Sequence, residues 1–430
     1  MSLSSHTQIL TNFFSSTMVN RMPSLIDEIY EHIKKARKVL RNVVHKTPLD
    51  RSGTFTKISG AKNVYLKLEN LQKTGSFKPR GAYYKIYNLS PEEKSRGVVA
   101  VSSGNHAQGV AYAASIQNVS AKIVMPIFTP ISKIIATRSY GAEVILHGLT
   151  FDDAAEKARE IIESEGRVLV HPYDDKFIVA GQGTIGLEIL EDLKEPDIVV
   201  VPIGGGGLIS GISIALKKKL KERVRIIGVQ TEAYPGVLAK LGMTRFPEKP
   251  MSTIADGIAI KTPGELTTRI IGDLVDDIVT VNDDEIAYAI FMLLERAKTV
   301  VEGAGAVALA ALLAGKIDAK NKNVVTIISG GNIDMTRLIR IINRELVRQR
   351  RLIRLTVVMP DMPGSLSRLL DILAQTRINV VDINIDKYSP HVEPQKVEVE
   401  IVAEIPISET LEILMSKIED IGYYVENAEF

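Results

Sequence analysis

The feature that most constrains the fold of this chain is a regular alternation of short apolar strands with helices. Strands are predicted at Val98–Val101, Ala121–Met125 and Glu143–Leu146, and each gap between them has the length and apolar spacing of a helix. The alternation continues to a strand at Val324–Ser329. Because alternation of this kind is typical of parallel strands joined by crossover helices, we predict an α/β fold, with a smaller lobe at about 97–166.

The composition limits the classes of function. The chain has 430 residues, enough for two or three domains, and a formal charge of +2, which gives no footprint for a nucleic-acid partner. It has no cysteine, which excludes disulfides, thiolate catalysis and cysteine-bound metals. The uncharged window Ile198–Leu216 contains Pro202 and several glycines, so we interpret it as strand, loop and helix rather than a membrane span.

The two ends of the chain differ from the α/β region. Residues 1–21 are rich in Ser and Thr and lack the basic start and apolar core of a signal peptide, which predicts a disordered tail and a cytoplasmic protein. From residue 352 the predicted elements follow the order βαββαβ of a ferredoxin-like module. We predict a first domain at 22–347 and a second at 352–430, with the boundary at 348–352.

One lysine has an unusual setting. Lys78 lies between Phe77 and Pro79 and directly follows Gly75-Ser76. Because proline suits the first turn of a helix, Lys78 is predicted at a turn-to-helix junction, where its side chain can be aimed. A buried lysine in such a place loses its proton easily and becomes a nucleophile for a carbonyl group. Taken alone, a lysine of this kind is more often an exposed surface residue, and the other stretches described below change that balance.

Four consecutive glycines, Gly204 to Gly207, follow a predicted buried strand and precede a helix that starts near Leu208. Glycines leave their N–H groups uncovered, and a helix N-terminus adds partial positive charge, so the stretch predicts a phosphate site. It has neither the Lys-Ser or Lys-Thr of a P-loop nor the spacing of a dinucleotide fingerprint. A tight turn between strand and helix is the alternative.

Two polar turns also follow predicted strands. The hydroxyl and N–H groups of Ser102-Ser103-Gly104-Asn105-His106 can hold a carboxylate, and the Asn105 amide can donate to a phenolic oxygen. The alternative for this turn is a helix N-cap. Ser329-Gly330-Gly331-Asn332 ends another strand, at the edge where open α/β sheets bind ligands. The Ser329 hydroxyl can form a hydrogen bond with a ring nitrogen. The alternative is a plain turn that ends the strand.

A placed lysine, a phosphate site, a carboxylate loop and a ring-nitrogen partner together match the chemistry of pyridoxal phosphate. With Ala255-Asp256-Gly257-Ile258-Ala259, these stretches resemble the tryptophan-synthase-β-like, fold type II pyridoxal-phosphate enzymes, and within them the threonine dehydratases. The resemblance extends from about residue 24 to the end and implies a two-lobed catalytic fold. The stretch Asp361-Met362-Pro363-Gly364-Ser365-Leu366 resembles that of an ACT domain, a module that binds amino acids for regulation.

The resemblance implies a role for each matching position. Lys78 is expected to hold the cofactor as a Schiff base and to act as the base at Cα, and Ser103 matches the second acid/base of serine racemases. The expected cofactor contacts are Phe77, Lys78, Asn105, Gly204, Gly205, Gly206, Gly207, Leu208, Gly257 and Ser329. The expected substrate contacts are Ser102, Ser103, Gly104, Asn105 and His106. The expected effector site of the ACT domain includes Pro363, Gly364 and Leu366.

The implied reaction is the β-elimination of L-threonine to 2-oxobutanoate and ammonia, with activity on L-serine as well. A serine facing the pyridine nitrogen leaves that nitrogen neutral, which favours β-elimination over transamination. Glu302 is expected either near the leaving group or as the cap of the next helix. Serine dehydratase and serine racemase are alternatives, because pockets separate substrates that differ by one methyl group only weakly. An amino-acid sensor with a vestigial catalytic domain is a further alternative.

The resemblance also bears on regulation, assembly and metal binding. It implies the first step towards isoleucine, control by isoleucine or valine, and a homodimer or homotetramer formed through ACT pairing. A module used only for assembly is the alternative. Related serine racemases hold a divalent metal with a glutamate and an aspartate after the strand that matches Arg225–Gln230. Here Glu232 is present but Leu238 stands at the aspartate position, so no metal site is predicted.

Overall fold

The computed structural model describes residues 22–249, 251–405 and 409–429, so the tail predicted at 1–21 lies outside the described residues. The chain divides into two compact units between Ile333 and Asp334. The boundary predicted from the sequence was 348–352. The helix that precedes that point therefore belongs to the second unit rather than to the first.

The first unit alternates helices and strands along most of its length. Its helices are α1 (Met22–Val39), α2 (Gly53–Ser59), α3 (Lys78–Tyr87), α4 (Pro91–Arg96), α5 (Asn105–Ile116), α6 (Ile131–Ser139), α7 (Phe151–Glu165), α8 (Lys176–Asp192), α9 (Gly207–Leu220), α10 (Gly236–Lys240), α11 (Glu265–Leu274), α12 (Asp283–Ala297) and α13 (Gly303–Leu313). Its strands are β1 (Leu49–Ser52), β2 (Asn63–Leu68), β3 (Val98–Val101), β4 (Ala121–Met125), β5 (Glu143–Leu146), β6 (Val168–Leu169), β7 (Ile198–Pro202), β8 (Arg225–Thr231), β9 (Asp277–Val281) and β10 (Asn323–Ile328).

These strands form two sheets, which are the two predicted lobes. The larger sheet has the order β1-β2-β10-β7-β8-β9, and only its β1–β2 pair is antiparallel among the described strands. The smaller sheet has the order β5-β4-β3-β6 and is parallel throughout. Strands β3 and β7 are buried along their whole length, as expected where helices cover both faces of a parallel sheet.

The predicted α/β alternation is confirmed, but four helices were missed: the short helices α2, α4 and α10, and the longer α11. The reason is clearest for α11. Its first N–H groups are satisfied by a distant side chain, because Glu265 N and Thr267 N donate to the Asp174 carboxylate at 3.0 and 3.1 Å. No local capping signal therefore marks the start of this helix in the sequence.

The second unit begins with helix α14 (Met335–Arg348). The remaining elements are β11 (Leu352–Pro360), α15 (Ser365–Gln375), β12 (Asn379–Asp386), β13 (Lys396–Glu404), α16 (Glu409–Asp420) and β14 (Tyr424–Glu429). The strands form an antiparallel sheet of order β12-β13-β11-β14, and the inward side chains of β11 and β13 form its core with α15 and α16. The predicted ferredoxin-like order βαββαβ is confirmed.

The uncharged window Ile198–Leu216 forms β7, the glycine loop and most of α9, as the sequence predicted. Across the described ranges, no helix is long and apolar enough to span a membrane.

Candidate active site

A cavity of about 540 Å³ in the first unit is lined by residues from both lobes. It gathers all the catalytic, cofactor-binding and substrate-binding positions that were predicted from the sequence: Phe77, Lys78, Ser102, Ser103, Gly104, Asn105, His106, Gly204, Gly205, Gly206, Gly207, Leu208, Gly257 and Ser329. These residues come from stretches separated by more than two hundred positions, and they follow the carboxyl ends of strands in both sheets. The ligand crevice expected of an open α/β fold therefore lies here.

Lys78 is the first residue of α3 and is only partly exposed within the cavity. Its Nζ donates a hydrogen bond to the carbonyl oxygen of Pro172 at 3.1 Å. Burial lowers the pKa of Lys78 to about 8, although the carboxylate of Glu302 acts in the opposite direction. About a tenth of this amine is therefore neutral and nucleophilic at pH 7, far more than for an ordinary lysine, and the alternative of an exposed surface lysine is wrong.

The backbone at Lys78 is fixed by two kinds of contact. The N–H of Phe77 donates to the carbonyl oxygen of Ser329 at 3.2 Å, and Ser76 forms a β-bridge with Gly330. The loop that carries the lysine is therefore joined directly to the polar turn that follows β10.

Two residues after Lys78, a group of buried charges fixes the start of α3. We call Lys67, Glu69, Arg80 and Glu188 the Arg80 cluster; all four residues have no exposed surface. The Arg80 guanidinium donates to both carboxylates, with Nε to Glu69 Oε2 and Nη1 to Glu188 Oε1 each at 2.8 Å. Lys67 Nζ donates to Glu188 Oε2 at 2.7 Å. Two buried cations thus face two buried carboxylates, and the half-buried Arg37 adds a contact from Nη1 to Glu188 Oε1 at 3.3 Å.

The glycine run between β7 and α9 packs too tightly to accept side chains. A Cβ on Gly205 would lie 2.1 Å from the ring of Tyr173, and one on Gly204 would lie 3.0 Å from the Ile258 backbone. Gly206 has a φ of +94° and a virtual Cβ 2.8 Å from Thr267. Two explanations therefore account for these glycines: close packing against neighbouring residues, and the predicted phosphate site.

The N-terminus of α9 remains suited to an anion. Gly206 occupies the N-cap position without a side chain to cap the helix, and the carbonyl oxygen of Gly206 accepts the N–H of Ser210 at 3.0 Å. The N–H groups before Ser210 have no carbonyl partner within the helix. They lie in the cavity wall, next to uncovered glycine backbone, which is the arrangement that binds phosphate groups.

In the polar turn after β3, Asn105 is the first residue of α5 and Gly104 takes the N-cap position. Ser102 Oγ accepts the N–H of Gly104 at 3.2 Å. The His106 ring is buried, and its Nε2 contacts the carbonyl oxygen of Val170 at 2.7 Å. Burial lowers the pKa of His106 to about 3, so the ring is neutral and donates this hydrogen bond. The imidazole thus joins the turn to the segment after β6.

Glu302 meets the polar turn from the other lobe. Its Oε1 accepts a hydrogen bond from Asn105 Nδ2 at 2.5 Å. Burial raises the pKa of Glu302 to about 7, with a further contribution from Asp256. Glu302 precedes α13, yet among the described residues its side chain makes no capping hydrogen bond. Of the two expectations for this residue, the helix cap is therefore wrong, and the carboxyl group lies in the cavity wall.

Ser329 directly follows β10 and is almost fully buried in the cavity wall. Its Oγ donates to the carbonyl oxygen of Ala304 at 3.3 Å. A hydroxyl group keeps lone pairs for a second partner, so Ser329 is compatible with a ring nitrogen in the cavity.

Several lining residues were not singled out from the sequence, including Lys133, Phe151, Tyr173 and Asn332. Tyr173 packs on the glycine run, and its hydroxyl donates to the carbonyl oxygen of Thr262 at 3.0 Å. Asn332 lay in a stretch already noted for Ser329, so its position at a strand end was an available signal. The other three carry no local pattern that separates them from ordinary surface or core residues.

The residues at the positions of the racemase metal pattern make other contacts. The Glu232 carboxylate pairs with Lys316 Nζ at 3.4 Å, and the same ammonium group contacts Glu285 at 2.7 Å and the carbonyl oxygen of Thr280 at 2.8 Å. Leu238 is buried. Within the described ranges, no group of three or more His, Cys, Asp or Glu residues is arranged to hold a metal.

The fold and the cavity define a cofactor-dependent enzyme, and comparison with known proteins identifies its class. A family model described as "Pyridoxal-phosphate dependent enzyme" matches residues 40–330. This chain belongs to the pyridoxal-phosphate-dependent enzymes, with the fold type II architecture that the sequence resemblance implied.

Individual relatives extend over nearly the whole chain. An L-threonine ammonia-lyase of Thermotoga maritima is 50% identical over 402 residues, covering 92% of this chain and 98% of that relative. Another, from Geobacter sulfurreducens, is 43% identical with the same coverage. Among solved structures, the processed form of threonine deaminase isoform 2 from Solanum lycopersicum aligns with a TM-score of 0.69 and 38% identity, covering 74% of this chain and 88% of that one.

Proposed function

We propose that this chain is an L-threonine ammonia-lyase, which converts L-threonine to 2-oxobutanoate and ammonia and also accepts L-serine. One observation carries the proposal: a chain that is 50% identical to an L-threonine ammonia-lyase over 98% of that relative also gathers Lys78, Asn105, the glycine run and Ser329 in one cavity. An amino-acid sensor with a vestigial catalytic domain has no need of this convergence.

The cavity residues fit pyridoxal phosphate group by group. The uncapped N-terminus of α9 and the glycine run fit its phosphate, and the partly neutral amine of Lys78 fits its aldehyde. The Ser329 hydroxyl fits the ring nitrogen, and the Asn105 amide fits the phenolic oxygen. Phe77 and Gly257 line the same space. When bound, this cofactor supplies an electron sink for a carbanion at the substrate Cα.

The chain's own residues then bind the substrate and move its protons. The N–H groups at the start of α5, with Ser102 and Ser103, hold the substrate carboxylate at a helix N-terminus. The Lys78 amine accepts the proton from Cα, a task favoured by its lowered pKa. Ser103 stands in the same cavity as a second group that can exchange a proton. The Ser329 hydroxyl carries no charge, which keeps the site suited to β-elimination.

Purified protein tests this proposal directly. We expect a visible absorbance band from bound cofactor, and faster release of 2-oxobutanoate from L-threonine than of pyruvate from L-serine. Lys78→Ala should remove the absorbance band from the wavelength at which the unaltered protein absorbs. It should also reduce turnover by about 10⁴-fold, because it removes both the attachment point of the cofactor and the base. A yellow protein that prefers serine would change the assignment to serine dehydratase. A colourless protein that gains no band with added cofactor would overturn the proposal.

Serine racemase is supported less well. A structure of maize serine racemase aligns with 35% identity and a TM-score of 0.68, so the fold alone does not separate the activities. Glu232 pairs with Lys316 here and Leu238 replaces the expected aspartate, so the metal pattern of the racemases is missing from these positions. Formation of D-serine from L-serine at a rate comparable with pyruvate release would favour the racemase.

We further propose that the second unit is an ACT domain that binds isoleucine or valine and controls the enzyme. Its ferredoxin-like sheet supports this assignment, and Gly364, with a φ of +90°, ends the turn before α15 where the effector site was predicted with Pro363 and Leu366. Isothermal calorimetry should detect isoleucine binding to the full chain, and Lys78→Ala should retain it because the two sites are separate. No binding of isoleucine or valine would contradict the proposal.

The same unit supports a homodimer or homotetramer. Strand β12 is an edge strand with exposed apolar side chains at Val381, Ile383 and Ile385, which favour pairing with a second copy. Light scattering should give a mass of two or four chains, and Ile383→Lys should lower it. A cytoplasmic location stays a prediction from the sequence.

A further inference from the structure

Asn332 lines the cavity next to Asn105 and holds its side chain. Asn332 Nδ2 donates two hydrogen bonds at 2.8 Å, one to the carbonyl oxygen of Thr74 and one to Asn105 Oδ1. On the other side, Asn105 Nδ2 donates to Glu302 Oε1 at 2.5 Å. The Asn105 amide is therefore held at both ends, by residues 227 and 197 positions away in the chain.

The direction of both amides follows from the chemistry of their partners. The carbonyl oxygen of Thr74 can only accept, so the atom of Asn332 that faces it must be the NH₂ group. The second hydrogen of that NH₂ group points at Asn105, which must then present its oxygen. The NH₂ group of Asn105 is left facing the cavity and Glu302. One backbone carbonyl thus sets the orientation of two side chains in series.

Two glycines make this arrangement possible. A Cβ on Gly75 would lie 2.5 Å from Asn332 Oδ1, and Gly75 has a φ of +72°, which side-chain-bearing residues rarely adopt. A Cβ on Gly330 would lie 2.1 Å from Glu302 Oε1 and 3.2 Å from Asn105 Nδ2. The lysine loop and the turn after β10 therefore leave room for the two amides and the carboxyl group.

We propose that Asn332 is a positioning residue that orients the Asn105 amide so that its NH₂ group faces the phenolic oxygen of bound pyridoxal phosphate. One hydrogen of this NH₂ group serves Glu302, and the other is available to the cofactor. If Asn332 did not donate to Asn105 Oδ1, the Asn105 amide could rotate and bring its own oxygen next to the phenolic oxygen. The two oxygen atoms would then repel each other. The inference rests on the proposed function, which gives Asn105 its contact with the cofactor.

A double-mutant cycle on the holoenzyme tests this proposal. The variants are Asn332→Ala, Asn105→Ala and the double variant, and Asn42→Ala, at an exposed asparagine shortly after α1, is the matched control. Two quantities are measured: the dissociation constant of the cofactor, and the pH midpoint of its visible band. Neither changes when a residue serves only to fill space far from the chromophore. Thermal unfolding of each variant is recorded alongside.

We expect Asn105→Ala to weaken cofactor binding by about tenfold, the usual effect of one hydrogen bond to a charged group. Asn332→Ala should weaken it by a smaller factor and shift the band midpoint in the same direction. The double variant should match Asn105→Ala within about twofold, because Asn332 acts only through Asn105. If Asn332→Ala fails to fold, Asn332→Leu, which keeps a similar shape and removes the donor, replaces it in the cycle and should weaken binding and shift the band midpoint in the same direction.

Other outcomes separate failure of this inference from failure of the proposed function. The positioning role would be overturned, while the function stands, if the effects of the two single variants multiply in the double variant. It would also be overturned if Asn332→Ala behaves like Asn42→Ala. An Asn105→Ala protein with unchanged band and affinity would remove the contact on which the inference rests. Absence of a visible band in the unaltered protein, even with added cofactor, would overturn the function itself.

Discussion

Two groups of buried charged residues lie near the start of α3, and the balance between burial and ion pairing is opposite in the two groups. In the Arg80 cluster, burial alone lowers the pKa of Arg80, but Glu69 and Glu188 outweigh burial and raise it. In the cavity, burial dominates: the pKa of Lys78 falls to about 8, and that of Glu302 rises to about 7. The first group is paired by hydrogen bonds of 2.7 to 2.9 Å, whereas Lys78 and Glu302 have neutral hydrogen-bond partners.

This difference in pairing distinguishes buried charges that stabilise the fold from buried charges that take part in the reaction. A buried ion that is fully paired keeps its charge at all ordinary pH values and fixes the backbone around it. A buried ion without such pairing changes protonation near neutral pH, which is what a nucleophile or a proton-transfer group requires. Only Pro79 separates Lys78 from Arg80, so the Arg80 cluster also fixes the helix from which the lysine projects.

The largest expected effect comes from breaking the paired group. Arg80→Met should lower the free energy of unfolding by about 3–5 kcal/mol, because it leaves two carboxylates buried without their main partner. Arg96→Met is the control, since Arg96 forms an exposed pair with Glu92 at 2.8 Å that contributes about 0.5 kcal/mol. Urea unfolding of both variants measures the difference. Equal losses would contradict the distinction between the two kinds of charge.

A substitution in the unpaired group should raise the free energy of unfolding instead of lowering it. The pKa of Glu302 is about 7 in the fold against an ordinary value of 4.5, so its ionisation opposes folding as the pH rises from 4.5 to 7. Glu302→Gln should therefore stabilise the cofactor-free protein at pH 8, by up to about 3 kcal/mol. Below pH 4.5 the two proteins should be equally stable.

Unfolding of this variant is measured at pH 4 and pH 8, with the exposed Glu163→Gln as the control. A destabilised Glu302→Gln protein at pH 8 would mean that the carboxylate is better paired than its surroundings indicate.

The smallest expected effect is a change with pH in the rate at which the cofactor binds. Only the neutral Lys78 amine attacks the cofactor aldehyde, so the uptake of pyridoxal phosphate by cofactor-free protein should rise about tenfold from pH 7 to pH 9. The rise should then level off, because the amine is already neutral. Stopped-flow absorbance of the visible band measures the rate. A rate that continues to rise beyond pH 10 would indicate an ordinary lysine and remove the contrast with Arg80.

Much of the fold and the site could be predicted from the sequence. Strand–helix alternation, the glycine run and the polar turns are local patterns. The glycine run and the turn after β10 follow neighbouring strands of one parallel sheet, so their meeting follows from topology, whereas the turn after β3 belongs to the other sheet and reaches them only through the packing of the two lobes. The βαββαβ order of the second unit was predictable for the same reason. The start of α11 was not, because Asp174, the side chain that satisfies its N–H groups, lies about ninety positions earlier.

By itself, the sequence determined the α/β architecture, the position of Lys78 at a helix start and the residue types around the cofactor. Each of these depends on backbone conformations and hydrophobic periods that act over a few residues. Only the tertiary structure decided the protonation of Glu302, the pairing of Arg80 and the orientation of Asn105 by Asn332. These depend on burial and on contacts between segments up to 227 positions apart, and neither desolvation nor a distant hydrogen bond leaves a local pattern in a sequence.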